Sequence, residues 1–328
     1  MRILVTGGAG YIGSVTARML AGAGHDILIA DNLSKGHKQA AGRASLQEVD
    51  IEDAAAIEGC CRRFKPEACM HFAARSLVGE SMERPLDYFM SNFGGSIILA
   101  RALIDSGCDM MVFSSTAAVY GAAETSPIVE SDPTEPINPY GLSKLMVENM
   151  LAKLERAGAM RYASLRYFNA AGADVEGDLG EDHDPETHLI PCVVAVAQRK
   201  QARARVFGSD YPTRDGTCVR DYIHVSDLAR AHVLALARLA GGESGGVFNL
   251  GNGEGYTVRE VIEAVKEVSG RDFEVVDEPR REGDPPVLVA SSDRIRSVLG
   301  WEPAHPGLKE IVRSAWKWHA AHPDGYVD

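Results

Sequence analysis

Apolar runs bounded by glycine or polar residues punctuate the first half of the chain at Arg2–Val5, Asp26–Ala30, Leu46–Val49, Ala68–Phe72, Met110–Ser114 and Ala163–Phe168. Between them lie amphipathic stretches: Ser14–Ala23, Glu52–Phe64, Ser91–Ser106 and Gly141–Ala157. Short strands alternating with helices are the pattern of a parallel sheet covered on both faces. Ile3-Leu4-Val5 is apolar at every position, as a strand buried on both sides must be.

After Asn169 the pattern changes. Residues 170–187 are rich in Gly, Asp, Glu and Pro and read as an irregular excursion. A helix is expected at Pro191–Arg199, a short strand around Val206–Phe207 and turns over Gly208–Thr217. Asp221–Leu239 reads as strand then helix, and Val247–Leu250 as a strand returning to the main sheet. Thr257–His319 supplies two or three more helices and a strand at Phe273–Val276. No internal repeat or low-complexity linker separates the parts. The predicted class is therefore α/β: a Rossmann-type doubly wound parallel sheet with a smaller, interleaved C-terminal substrate-binding domain. Residues 1–169, with about 221–250, form the nucleotide unit; residues 170–220 and 251–328 form the other.

Composition narrows the function. With 328 residues, 45% of them hydrophobic and 24% charged, the chain is ordinary globular material with ample core. A net charge of -12 argues against nucleic acid or an anionic membrane as partner. If the substrate carries phosphates, particular arginines must overcome that field locally. The six cysteines form no C-x-x-C pair and read as reduced thiols. The chain opens on a strand, with no apolar run near the ~20 residues of a membrane span. The expected location is cytoplasmic.

Thr6-Gly7-Gly8-Ala9-Gly10-Tyr11-Ile12-Gly13 follows the first strand and opens the first helix. Gly7, Gly10 and Gly13 allow a sharp turn, close approach of backbone to a pyrophosphate and tight helix packing, and the helix N–H groups bind the phosphates. Asp31, with Asn32 beside it, ends the second strand eighteen residues after Gly13, where a carboxylate binds ribose hydroxyls and repels a 2′-phosphate. NAD is favoured over NADP. Asp50-Ile51 after the third strand suits adenine, and Phe72-Ala73-Ala74 after the fourth lets the backbone pass over the cofactor.

Tyr140-Gly-Leu-Ser-Lys144 opens a helix. Side chains four apart share a helix face, with β-carbons about 5–6 Å apart. An ammonium beside the phenol, with the nicotinamide's charge, lowers the tyrosine pKa from about 10 and makes Tyr140 a general base. Ser114-Ser115-Thr116 ends the preceding strand, and Thr116 adds a hydroxyl able to bridge Tyr140 and a substrate oxygen.

These features resemble the extended short-chain dehydrogenase/reductase family. Thr6–Gly13, His71–Ser81 (HFAARSLVGES), Arg166–Ala173 (RYFNAAGA) and Asp210–Val225 (DYPTRDGTCVRDYIHV) are similar, more narrowly, to the UDP-glucose 4-epimerase family. The resemblance covers essentially the whole chain. It implies that Tyr140 is the base, Thr116 its partner, and Lys144 the residue that binds the nicotinamide ribose. Ser114, Tyr167 and Phe168 become cofactor contacts, as does Ser76, where some relatives have lysine. Arg220 and Arg281 match positions holding the UDP pyrophosphate, and Asn169, Leu189, Phe207 and Asp284 match substrate contacts, Asp284 suiting a ribose hydroxyl; His188, next to Leu189 in a segment resembling a substrate loop, is a candidate contact. Leu288 matches a position where some members place tyrosine beside the sugar's C2 substituent; a smaller residue there admits N-acetylated sugars.

The mechanism so implied is transient: Tyr140 takes the O4 proton while hydride passes from C4 to NAD, the 4-keto sugar turns over, and hydride returns to its other face. The implied substrates are UDP-galactose and UDP-glucose. Another UDP-sugar (UDP-GlcNAc/UDP-GalNAc or UDP-xylose/UDP-arabinose) or a net sugar-nucleotide oxidoreductase is the alternative. Sugar-nucleotide dehydratases carry an Asp-Glu pair after Ser-Ser-Thr; Ala117 and Ala118 stand here, and alanine transfers no proton. The resemblance also implies a homodimer through helices of the Rossmann unit. His71 reads as a packed structural residue. His183 and His188 lie near Asp182, Asp184 and Glu186, but their spacing matches no standard site and hydride transfer needs no metal, so none is expected.

Overall fold

The structure, a computed structural model, describes all residues except 124, 282, 283 and 328. Strands β1 (Arg2–Thr6), β2 (Asp26–Asp31), β3 (Ser45–Glu48), β4 (Ala68–His71), β5 (Met110–Ser114) and β6 (Arg161–Tyr167) fall on the apolar runs of the first half. All pair in parallel, and a later strand, β10 (Gly246–Leu250), joins the far edge. The order β10-β6-β5-β4-β1-β2-β3 reverses direction between β1 and β4. Loops leaving the carboxyl ends of those strands diverge there and open the crevice in which such sheets bind ligands.

Adjacent residues of β1 prove that both faces are covered. Ile3 and Val5 belong to one apolar cluster with α1 (Tyr11–Gly22) and α8 (Val225–Ala240), whereas Leu4 belongs to another with α2 (Ala54–Phe64), α5 (Gly95–Asp105) and α6 (Pro139–Arg156). Successive side chains of a strand point to opposite faces, so an unbroken apolar run is what this position demands. One helix differs from expectation. The pattern from Ser91 becomes a π-helical turn, Phe89–Gly94, before α5, and the short helices α3 (Val78–Glu83) and α4 (Pro85–Tyr88) precede it. The wider turn brings Asn92 inward, where its amide bonds the Arg75 backbone and Ser143 Oγ.

The second half builds two small sheets. β7 (Asn169–Ala171) pairs with β9 (Val219–His224), which also pairs with β11 (Gly255–Thr257) and β13 (Val287–Leu288). β8 (Ala204–Phe207) pairs with β12 (Val275–Glu278). Thus residues 221–224 lie in a small sheet, while α8, which follows them directly, packs on α1. Helices α7 (Leu189–Ala197), α9 (Val258–Ser269) and α11 (Leu308–Ala321) enclose a third apolar cluster, and α10 (Asp293–Leu299) packs beside β10. All six cysteines are free thiols. No helix among the described residues is long and apolar enough to cross a membrane.

Candidate active site

Helix α6 is set by its first residues. Asn138 caps it by accepting the Gly141 N–H at 2.8 Å, and Pro139 occupies the first position. Gly141 lies against the strand end: a Cβ there would sit 2.5 Å from the Ala118 carbonyl oxygen. That close approach places Tyr140 and Lys144 under the carboxyl end of β5. Lys144 is buried, its Nζ donates to the Ser114 carbonyl at 2.8 Å, and it lies over the Phe113 ring. Burial lowers its pKa to about 7, with Glu148 pulling the other way. Tyr140 bonds Thr116 and meets Tyr88 edge-on. Contrary to the lowering expected from Lys144, whose Nζ turns to the Ser114 carbonyl, burial holds the Tyr140 phenol above its ordinary pKa, opposed by the Thr116 bond. Thr116 Oγ1 also accepts the Ala118 N–H, starting the 3-10 turn that carries Ala117 and Ala118. Ser114 Oγ and the Tyr167 hydroxyl are 2.5 Å apart.

Sequence reasoning missed the network beneath. Glu148, one turn beyond Lys144, accepts from Ser115 Oγ at 2.5 Å and pairs with Arg166 through Nη2 at 2.5 Å and Nε at 3.0 Å. Arg166 donates on to the Tyr120 hydroxyl, which donates to Asn249. All five side chains are buried. The chain Tyr140, Lys144, Glu148 at four-residue spacing was a visible signal of one more polar residue on the same helix face.

At the dinucleotide edge, Gly7 has φ +70°, and a Cβ there would lie 2.5 Å from the Ala73 nitrogen. Backbone therefore crosses backbone where β1 and β4 diverge. Gly10 caps α1 without a side chain, no acidic residue stands in the first turn, and a Cβ at Gly10 would meet only the Gly7 carbonyl. The helix start at Tyr11 and Ile12 is thus open to an anion. Gly13 packs against Gly7. Asp31 accepts from Ala9 N and Leu33 N, each at 2.9 Å, so the carboxylate braces the glycine turn. Each oxygen keeps a second lone pair for a ribose hydroxyl. These features fit a dinucleotide. Asn32 donates to Asp50, Ile51 is buried against Gly95, and Phe72 packs on His232. Ala74 is half-buried and Ser76 exposed. His71 is buried and bonded at both ring nitrogens, to Thr6 and Ser96; burial lowers its pKa to about 3 and keeps it neutral.

The substrate-side residues are partnered with one another. Arg220 forms an ion pair with Asp284 and donates to the Val219 carbonyl. Arg281 stacks 4.0 Å over the Phe207 ring. Asn169 donates to the Asp221 carbonyl, and Leu288 joins Ala117, Val119, Tyr120 and Phe168 in one apolar cluster beside Thr116. His188 caps α7 immediately before Leu189. Asp221, which the sequence did not single out as a support, is fully buried and accepts the backbone N–H groups of Asn252, Gly253 and Ala290, tying β9 to the segment before β11 and the segment after β13. Burial raises its pKa to about 6.

A phenol and an ammonium held under a dinucleotide edge can move a proton while a nicotinamide takes hydride, which defines an enzyme of the short-chain dehydrogenase/reductase class. More specifically, residues 3–251 match the NAD-dependent epimerase/dehydratase family, and the chain belongs to it. It is 48% identical over 326 residues to a UDP-glucose 4-epimerase of Halalkalibacterium halodurans, covering 99% of this chain and 98% of that protein. A crystal structure of a UDP-glucose 4-epimerase superposes with a TM-score of 0.98 over 100% of both chains at 45% identity. The enzyme from Brucella ovis, solved in complex with NAD, gives 0.93 over 96% and 97% of the chains, also at 45% identity.

Proposed function

We propose that the chain is a UDP-glucose 4-epimerase, interconverting UDP-galactose and UDP-glucose with a resident NAD. One observation carries the reading: Tyr140 is bonded to Thr116 at the end of β5, and the next two residues, Ala117 and Ala118, have no side chain able to exchange a proton. The site can serve one hydroxyl and cannot assist elimination at the neighbouring carbons. The relatives named above support the choice of sugar nucleotide.

Gly7, Gly10, Ile12, Asp31 and Lys144 would hold NAD, whose chemistry when bound is reversible acceptance of hydride. Tyr140 takes and returns the proton of the sugar O4, and Thr116 keeps its hydroxyl oriented. Lys144 supplies positive charge to the phenolate. Arg220 and Arg281 meet the pyrophosphate, guanidinium forks suiting that task, and Asp284, released from Arg220, meets a uridine ribose hydroxyl. Leu288 borders the sugar pocket, and its size favours a second reading in which N-acetylated sugars are also accepted.

The assembly we infer is a cytoplasmic homodimer. Val78, Met82, Leu86 and Met90 along α3, α4 and the π turn are 46%, 61%, 74% and 62% exposed, and Ile97 on α5 is 44% exposed. Large apolar side chains exposed so close together along the chain support a contact surface there.

The deciding experiment is incubation of purified protein with UDP-galactose, no NAD added, following UDP-glucose and reduced nicotinamide. Conversion without accumulating NADH is the expected result. Accumulating NADH would make it a net oxidoreductase; no conversion of UDP-galactose, UDP-GlcNAc or UDP-xylose would sink the epimerase reading.

A further inference from the structure

Residues 181–188 bring four side chains to one point: Glu181, His183, Glu186 and His188, whose candidate ligand atoms all lie within 4.8 Å of one another. The acidic loop expected from the sequence is therefore a convergent cluster. We propose that it is a structural site for a divalent first-row metal ion, zinc by geometry.

The argument begins with proton counting. Each imidazole presents the same nitrogen, Nδ1, to two carboxylates. His183 Nδ1 lies 3.4 Å from Glu181 and 3.6 Å from Glu186; His188 Nδ1 bonds Glu181 and lies 3.6 Å from Glu186. An Nδ1 carries at most one proton and cannot donate along both lines at once. Separations of 3.4–3.6 Å are also long for an N–H···O hydrogen bond. They are close to the edge of a tetrahedron with bonds of about 2.0–2.1 Å, which is about 3.3–3.4 Å. A cation at the centre accounts for the three long contacts and would replace the closer His188–Glu181 hydrogen bond, taking all four side chains as ligands.

Charge and support agree. Two carboxylates balance a divalent ion, and imidazole with carboxylate suits zinc. Glu181 is 4% exposed, so its charge must be matched locally. The Glu186 carboxylate is aimed by the Thr187 and His188 backbone N–H groups, at 2.6 and 2.7 Å, and the His183 ring packs edge-on against Tyr11. Such outer contacts orient metal ligands. The ion would fasten the excursion after β7 to the start of α7, next to Leu189. The loop is tied elsewhere as well: Asp182 accepts from Tyr326 N, and Lys35 donates to the Asp184 carbonyl. The site takes no part in hydride transfer, and His188, a candidate substrate contact by resemblance, would serve in it as a metal ligand instead.

The test strips the full-length holoenzyme with a chelator and titrates it with Co2+, then Zn2+. We expect one Co2+ per chain with the intense visible absorption of a tetrahedral centre, displaced by Zn2+, and a higher Tm with the metal bound. Glu186→Gln preserves the backbone bonds to Oε1 and removes the second oxygen; it and His183→Ala should each weaken Co2+ binding about 100-fold or more. Absence of stoichiometric Co2+ in the unaltered protein would overturn the proposal. So would equal affinity in a variant that melts like the parent, or sulfur-to-cobalt charge-transfer absorption placing the ion on a thiol.

Discussion

The two halves of the site are stabilised differently. Around β5 and α6 the polar groups are buried and mutually satisfied: Lys144 on the Ser114 carbonyl, Glu148 on Ser115 and Arg166, Arg166 on Tyr120. Across the crevice the polar groups are more solvated, Arg220 paired with Asp284 and Arg281 lying over the Phe207 ring. A buried network resists change, because a lone member left without its partner is costly. A partly solvated ion pair can be exchanged for a ligand at little expense. On the proposed roles, the proton-transfer side is the part held by buried, mutually satisfied partners, and the recognition side the part whose partners a ligand could replace.

The largest effect should come from Tyr140→Phe, which removes the exchangeable proton and leaves the ring. We expect kcat to fall about 10²–10⁴-fold with KM and Tm little changed. A small loss would break the comparison at its centre. Next is a pair of variants. Glu148→Ala strands the buried Arg166 guanidinium and should cost about 3–5 kcal/mol in urea unfolding. Arg220→Ala should cost only about 0–1 kcal/mol yet raise KM for UDP-galactose about tenfold. Equal stability losses would erase the distinction between the halves.

A pH measurement sharpens the picture further. With a folded pKa of about 7 against an ordinary 10.5, Lys144 carries its proton in both folded and unfolded chains below about 7, and there the full cost of burying an ammonium opposes folding. Between about 7 and 10.5 the unfolded chain binds the extra proton, so this group's contribution to stability rises with pH. Lys144→Met should flatten that slope, read as urea midpoints from pH 6.5 to 10. The smallest effect is Leu288→Tyr, expected to lower the ratio of UDP-GlcNAc to UDP-glucose activity by about 10-fold, roughly the discrimination of a pocket reshaped by one side chain. An unchanged ratio would remove Leu288 from the sugar pocket.

Much of this was legible along the chain, for identifiable reasons. β1 to β6 announced themselves because strands buried on both faces must be apolar at consecutive positions. The glycine turn and the Tyr140–Lys144 spacing were legible because each is a local constraint satisfied within eight residues. The short strands β7, β11 and β13 were not, having two or three residues and no period to detect. The pairing of Glu148 with Arg166 joins a helix to a strand, and no spacing rule foretells it.

The sequence by itself determined the elements of the nucleotide half, the glycine turn after β1, the four-residue spacing of Tyr140 and Lys144 and the absence of an acid-base pair after Thr116. Those are local properties, set by periodicity, backbone freedom and residue chemistry. Only the tertiary structure decided that Asp31 braces the glycine turn, that Arg220 pairs with Asp284, that Leu288 joins the apolar cluster of Ala117 and Tyr120, and that Glu181 completes a four-sided cluster with His183, Glu186 and His188. Each of these depends on which backbone passes beside which, and that is settled by packing across the whole core.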